Sequence, residues 1–349
     1  MKIAPLYHEL KKREWAEPFI VHTGQHYDLN MSDIFFKNFN LPEPHIHLGV
    51  GSGTHARQTG NVMIEYEKIL LESPPDIVVV VGDVNSTAAV TMAAVKLGVK
   101  VAHLEAGLRS FDRTMPEEIN RLVTDAIADY LWTPSQDGNK NLENEGVSSE
   151  KIFFVGNIMI DSLVMARKNI EKLDIYSGFG CGRGEYGLVT LHRPSNVDSR
   201  DVLVELCEHL ADISRKIPLI FPVHPRTLGK LEEFGIRGLA AAENIHLTEP
   251  LGYNDFMNLV FNSKLIITDS GGVQEESTFL KIPCLTLRPN TERPVTVSQG
   301  TNQLCRPEAL CKMVDSILEG HFKKGSIPEL WDGGTAGRIA DLLPRLLSS

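Results

Sequence analysis

Three acids in the first half of this 349-residue chain sit where proton chemistry would be useful. Val81-Gly82-Asp83-Val84-Asn85 closes the strongest apolar run, and His103-Leu104-Glu105-Ala106-Gly107-Leu108-Arg109 closes the next. An acid just past a strand's carboxyl end lies where open α/β sheets place their ligands. Asp83 and Glu105, ending neighbouring parallel strands, would share one sheet edge. Paired carboxylates there can have their pKa values pushed apart for acid and base work. Taken alone, Asp83 reads more simply as a cap for a helix starting near Ser86. The third acid lies in Thr114-Met115-Pro116-Glu117-Glu118-Ile119-Asn120-Arg121. Thr114 and Glu117 have capping-box spacing and Pro suits a first helical turn, so the residues alone favour a cap. Glu117, Asn120 and Arg121 also share one helical face.

The second half carries groups suited to an anion. Leu191-His192-Arg193-Pro194 and Val223-His224-Pro225-Arg226 each follow an apolar run, giving two His–Arg pairs at equivalent strand ends. In Ile266-Ile267-Thr268-Asp269-Ser270-Gly271-Gly272-Val273-Gln274-Glu275-Glu276, an apolar strand passes through Ser-Gly-Gly into a helix. Glycines let backbone approach a ligand, and the N–H groups and dipole at a helix start favour phosphate. Glu276, one turn in, is placed to accept from a ribose diol. An ordinary helix start, with Ser270 as N-cap, is an equally good reading of the pattern. Metal-ligand spacings, a nucleophile elbow and a Walker loop are missing from the sequence, as is a G-x-G-x-x-G after a strand, which disfavours a dehydrogenase.

These residues need a scaffold of alternating strands and helices. Strands are predicted over 19–22, 77–81, 101–104, 130–133, 152–155, 187–190, 219–221, 245–247, 265–268 and 284–287. Helices are predicted over 6–15, 60–71, 86–97, 116–128, 202–215, 272–280 and 336–347. Apolar strands alternating with helices argue for parallel sheets covered on both faces. The Gly-rich stretch 172–184 reads as a surface loop close after a domain crossover. A doubly wound domain normally starts with a central strand, whereas this sequence starts inside the first helix. The net charge of −10 disfavours nucleic acid, and no apolar run approaches the ~20 residues that cross a bilayer. Five cysteines without a C-x-x-C pair read as reduced thiols packed in the interior.

Taken together, Gly82-Asp83, His103–Arg109, Pro116–Arg121, Gly156-Asn157, His192-Arg193, Pro222–Pro225, Thr268–Glu276 and Thr291-Glu292-Arg293-Pro294 resemble the non-hydrolysing UDP-N-acetylglucosamine 2-epimerases, in order and along nearly the whole chain. The resemblance implies an α/β fold of the GT-B type, two Rossmann-like domains whose parallel sheets face across a cleft. The domains expected are 1–157 joined by the terminal helix 335–349, and 158–334 as the UDP-binding half. It implies Asp83, Glu105, Glu117 and His192 as catalytic groups, shifting Glu117 from cap to active site. Ser270, Gly271 and Gly272 match the diphosphate cradle, Glu276 the ribose ligand, and Phe256 a residue near uracil. Lys2, Arg109, His224 and Arg293 match further substrate-binding positions. The family's chemistry is elimination of UDP to 2-acetamidoglucal and re-addition, requiring no redox cofactor or metal. A cytoplasmic homodimer acting on a UDP-sugar is the implied setting.

Two departures from the family pattern matter. Its first strand and G-T-R-P-E loop do not precede Met1-Lys2, so the chain as written is expected to be weakly stable or poorly active. Gln25, Arg57, Gln58 and His224 match a site where bacterial members bind a second UDP-N-acetylglucosamine as activator, but Pro194 stands in place of a second Arg there. Rival readings are a hydrolysing epimerase, a GT-B glycosyltransferase and a nucleotide-sugar sensor without catalysis.

Overall fold

The computed structural model describes residues 1–24 and 36–348. The chain divides into two compact units, Met1–Met165 with Glu329–Ser349, and Ala166–Pro328. The first unit holds two parallel sheets. One pairs β1 (Val21–His22) with β2 (Ile46–His47). The other runs in sequence order through β3 (Ile77–Val81), β4 (Lys100–Leu104), β5 (Tyr130–Thr133) and β6 (Ile152–Phe154). β3 is Ile-Val-Val-Val-Val, the composition of a strand covered on both faces. The covering helices include His55–Glu72, Asn85–Lys96 and Pro116–Ile127. Register is what matters for the acids: Val81 pairs with Leu104, so Gly82-Asp83 and Glu105 leave the sheet at the same level.

The C-terminal helix Thr335–Leu347 closes this unit. Ala336, Ile339 and Leu343 join Leu6, Ala102, Leu104 and Trp132 in one buried cluster. Its start is capped from a distance, the Asp161 carboxylate accepting from Thr335 N at 3.2 Å and Ala336 N at 2.8 Å. Trp331, just upstream, donates its indole N–H to Pro134 O at 2.9 Å, which satisfies a large buried side chain.

In the second unit β7 (Gly187–Thr190), β8 (Leu219–Pro222), β9 (Ile245–Thr248), β10 (Leu265–Thr268), β11 (Cys284–Thr286) and β12 (Asn302–Leu304) form one parallel sheet. Their spatial order is β12-β11-β10-β7-β8-β9. Numbered within the unit this is the doubly wound order 3-2-1-4-5-6, whose switch point lies between β7 and β10. Thr190 pairs with Thr268, so Leu191-His192 and Asp269-Ser270 emerge side by side at that point. Beneath them Leu203, Leu206, Leu210 and Ile213 of helix Arg200–Ser214 pack on Val189, Leu219, Phe221 and Ile267.

Expected and observed elements differ in instructive places. The first helix spans Ile3–Leu10 rather than 6–15, and the strand expected over 19–22 pairs only at Val21–His22. Helices Gln136–Asn144, Ile158–Ile170, Pro225–Glu233, Tyr253–Asn262 and Leu310–Leu318 escaped the periodicity reading. The Gly-rich stretch holds one short turn, Tyr176–Phe179, ended by Gly180 at φ 70°. All five cysteines are free thiols, four of them buried. No helix among the described residues is long and apolar enough to cross a membrane.

Candidate active site

Glu105 follows β4 in a left-handed conformation, φ 74°, that a non-glycine residue rarely adopts. Its side chain is buried. One carboxylate oxygen pairs with the Lys2 ammonium, and the other, Oε1, is buried without a hydrogen-bond partner among the described residues. A buried carboxylate oxygen left unpaired costs desolvation energy, which makes this one a candidate acceptor for a bound group. Gly82, at φ 71°, brings its backbone under this pair; a Cβ there would stand 3.4 Å from Lys2 Nζ. Asp83 is a partly exposed neighbour, ion-paired with Arg121.

Helix Pro116–Ile127 positions both acid-bearing turns. Arg121 bridges Asp83 and the buried Glu118, 2.8 Å away. Asn120 donates to Asp83 O at 2.9 Å. Glu118 accepts from Ser110 N and Oγ, both at 2.9 Å, and from Phe111 N at 3.0 Å, which fixes the loop leading into the helix. One turn further on, Asp125 accepts from Gly107 N at 3.0 Å and pairs with His103, whose other nitrogen donates to Gly82 O at 2.8 Å. Gly82 and Gly107 flank the two acids, so this buried pair pins both turns at once. Burial pushes the Asp125 carboxyl upward, but His103, Arg109 and the Gly107 N–H outweigh it and hold it below the ordinary value.

The capping box expected from Thr114 and Glu117 does not form. Thr114 donates its hydroxyl and its N–H to Asp112, and Met115 is the N-cap without a side-chain bond. Pro116 does open the helix, as its missing N–H allows. Glu117, half-buried on the first turn, is therefore not used as a cap. Arg109 is taken up by two other acids. Its guanidinium is buried against Asp125 at 2.7 Å and takes Glu145 in a two-pronged grip at 2.8 and 2.7 Å.

In the second unit the switch point is organised by a residue that the sequence reading quoted but gave no role. Asp269, fully buried, pairs with His192 Nδ1 at 3.0 Å. It also accepts from His192 N, from Arg193 N at 2.9 Å and from Asn196 Nδ2 at 3.0 Å. Burial works to raise its pKa, yet His192 and these donors win and hold it below the ordinary carboxylate value. His224 stacks obliquely on His192 with ring centroids 5.4 Å apart. Its Nδ1 accepts from Arg226 N at 3.1 Å, capping helix Pro225–Glu233. Burial, then the neighbouring His192, lowers its pKa.

Beside them Ser270 occupies the N-cap position of helix Gly271–Leu280 but makes no side-chain cap bond, and the first turn holds no acid. The ordinary-cap reading therefore fails, since the first-turn N–H groups at Gly271 and Gly272 receive no side-chain cap from Ser270. Gly271 is needed for packing: a Cβ would stand 2.6 Å from Arg293 Nη1 and 2.9 Å from Glu292 Oε1. Arg293 itself lies in a buried chain of charges with Glu275 at 2.9 Å and Glu292 at 2.6 Å, and Glu292 continues to Arg288 at 2.8 Å. Glu276 accepts from the Tyr253 hydroxyl at 2.9 Å, and burial pushes its carboxyl up to about 8. Tyr253 and Phe256 both belong to the first turn of helix Tyr253–Asn262.

Of the candidate effector positions, Gln25 lies outside the described residues. Arg57 is exposed on the first turn of helix His55–Glu72. Gln58 is tied to the acids' network, since Asn85 donates to its Oε1 at 2.8 Å and Asn120 donates to Asn85 at 3.2 Å. Asp269, Asp125 and Tyr253 are the neighbours of the candidate residues that the sequence reading gave no role, while Arg121 was noted only for sharing a helical face with Glu117. Assuming the doubly wound strand order would have exposed Asp269, because that order alone sets β10 against β7.

The family model described as UDP-N-acetylglucosamine 2-epimerase matches residues 8–344. The UDP-N-acetylglucosamine 2-epimerase of Methanocaldococcus jannaschii is 44% identical over 98% of this chain and 95% of its own length. A UDP-2,3-diacetamido-2,3-dideoxy-D-glucuronate 2-epimerase of Pseudomonas aeruginosa is 40% identical over 96% and 93%. Among solved structures, the Methanocaldococcus jannaschii enzyme in complex with UDP-GlcNAc and UDP is similar at a TM-score of 0.90 and 44% identity, covering 99% of this chain and 96% of that one. The Neisseria meningitidis enzyme bound to UDP-GlcNAc follows at 0.89 and 27%, over 99% and 96%. With two Rossmann-like units of parallel sheet, the fold is of the GT-B type. The chain belongs to the UDP-N-acetylglucosamine 2-epimerase family.

Proposed function

We propose that the protein is an isomerase that interconverts UDP-N-acetylglucosamine and UDP-N-acetylmannosamine by eliminating UDP and adding it back. The observation that supports this most is the likeness, along nearly the whole chain, to an epimerase solved with that sugar nucleotide. The C2 hydrogen is not next to a carbonyl, so cleavage of the C1–O bond must lead and build positive charge on the ring. A base takes the C2 proton as UDP leaves with the bonding pair, giving 2-acetamidoglucal. Protonation of the opposite face of C2 and attack of the UDP oxygen on C1 complete the inversion. Asp83, Glu105 and Glu117 are the carboxylates for the sugar, stabilising positive charge and moving the proton. The Glu105 oxygen that has no hydrogen-bond partner among the described residues favours it as the proton acceptor.

On the departing side, Ser270, Gly271 and Gly272 hold the diphosphate at the helix start, Glu276 the ribose, and Phe256 the uracil. His192 serves as an acid–base group toward the leaving UDP, and Lys2, His224 and Arg293 contribute positive charge or hydrogen bonds to binding. Arg109 acts indirectly, through Asp125. We assign the protein to the cytoplasm as a homodimer, with nucleic acid and membrane outside its role. Incubation with UDP-N-acetylglucosamine in D₂O, followed by NMR, tests the reaction. Deuterium at C2 and growth of the manno isomer are expected. Free N-acetylmannosamine as the product would indicate hydrolysis instead, and nucleotide binding without exchange a sensor.

The likeness to the Pseudomonas aeruginosa enzyme favours a second reading, a substrate with a 3-acetamido group and a C6 carboxylate. Comparing kcat/KM for the two UDP-sugars decides between them.

A further inference from the structure

We infer that Asp269 is a positioning residue that sets the working state of His192. The inference rests on the reading of His192 as an acid–base group toward the nucleotide. A carboxylate carries no proton, so the His192 nitrogen facing it at 3.0 Å, Nδ1, must be the protonated one. The lone pair of neutral His192 is thereby placed on Nε2. That atom has no hydrogen-bond partner among the described residues, and the side chain is 32% exposed. The second histidine is in the opposite state. His224 Nδ1 accepts from the Arg226 N–H, so its proton is on Nε2. Two adjacent imidazoles thus offer different groups, one an acceptor and one a donor.

Asp269 is itself held against rotation. Its Oδ2 takes Arg193 N at 2.9 Å, His192 N at 3.0 Å and Asn196 Nδ2 at 3.0 Å. Asn196 is anchored in turn on Leu287 O at 3.0 Å. The same carboxylate therefore orders the loop after β7 and selects the tautomer of the ring that the loop carries. This double use explains why an acid lies at the start of a Gly-rich anion cradle, where a negative charge would otherwise repel a diphosphate. Its charge is spent on three N–H groups and an imidazole.

The substitution Asp269→Asn tests this. With three N–H donors claiming the single remaining oxygen, the new amide nitrogen turns to His192 Nδ1 and donates to it, forcing the ring proton to Nε2. In nitrogen-15-labelled full-length protein, the His192 ring signals should show protonated Nδ1 in the wild type and protonated Nε2 in the variant. Turnover should fall about 100-fold or more, while KM for the UDP-sugar changes by less than about threefold. Because Asp269 acts through His192, adding Asp269→Asn to a His192→Asn background should cost nothing further in kcat.

A wild-type protein with unprotonated Nδ1 overturns the inference without any variant, even if the variant does not fold. So does a variant in which the tautomer is unchanged. A switched tautomer with unchanged kcat would instead remove His192 from the chemistry, leaving the effect of Asp269 on the ring intact.

Discussion

Replacing Glu276 by Gln isolates the cost of burying one carboxyl group. Its pKa in the folded protein is about 8, raised by burial first and by Glu275, with the Tyr253 hydroxyl pulling the other way. In the unfolded chain the group titrates near its ordinary value of 4.5. Between those two values the unfolded state has released the proton and the folded state has kept it. Stability therefore falls as pH rises through this window and levels off above it. At ~1.36 kcal/mol per unit the full window amounts to roughly 5 kcal/mol, and most of it falls between pH 5 and pH 8. Gln cannot ionise and still offers an oxygen to Tyr253. Its amide N–H groups add a penalty of about 1–3 kcal/mol if unpaired, which does not change with pH. For a unit the size of Ala166–Pro328, 1 kcal/mol is worth about 2–4 °C in melting temperature. Calorimetry on the nucleotide-free protein at pH 5, 6, 7 and 8 should show the variant gaining on the wild type by about 10 °C across the series. A difference that stays flat over that range would refute the assignment of a protonated Glu276 at neutral pH.

Three further substitutions probe the scaffold. Gly271→Ala places a methyl group 2.6 Å from Arg293 Nη1, so the guanidinium must move; UDP affinity by calorimetry should drop about tenfold with the far-ultraviolet spectrum unchanged. Gly107→Ala combines a φ of 78° with a Cβ 2.8 Å from Gly138 Cα, backbone against backbone, and should destabilise the first unit by about 2–4 kcal/mol in a urea titration. Arg121→Met leaves the buried Glu118 without its cation and should cost about 3–5 kcal/mol in the same titration. Its surviving folded fraction should show reduced kcat, because Asp83 loses the group that orients it.

How much of this was legible beforehand depends on whether a feature is written locally or across strands. β3 and β10 are short runs rich in β-branched residues, ended by Gly82 and Asp269, and both were readable to the residue. The acids Asp83 and Glu105 were readable as a pair for the same reason, since each follows such a run. Helix Gln136–Asn144 was not, because it is polar on most faces. What holds it is the fully buried Leu142, with Gly138, whose missing side chain lets the helix lie against Ala106 O; a Cβ there would come within 3.1 Å. The Thr114–Glu117 box failed because the helix starts one residue later, with Met115 as its N-cap, and Thr114 turns its hydroxyl to Asp112; spacing alone does not fix where a helix begins. The most consequential omission, Asp269 with His192, joins residues 77 apart. Nothing in either string announces the other. Their meeting follows from β10 lying against β7 while β8 and β9 turn to the opposite side. A motif reading credits the Ser-Gly-Gly turn to phosphate and passes over the acid before it, because that acid's partner is chosen by strand order. Acids or histidines on the residue after a switch-point strand should accordingly be read in pairs across the switch before either is given a separate role.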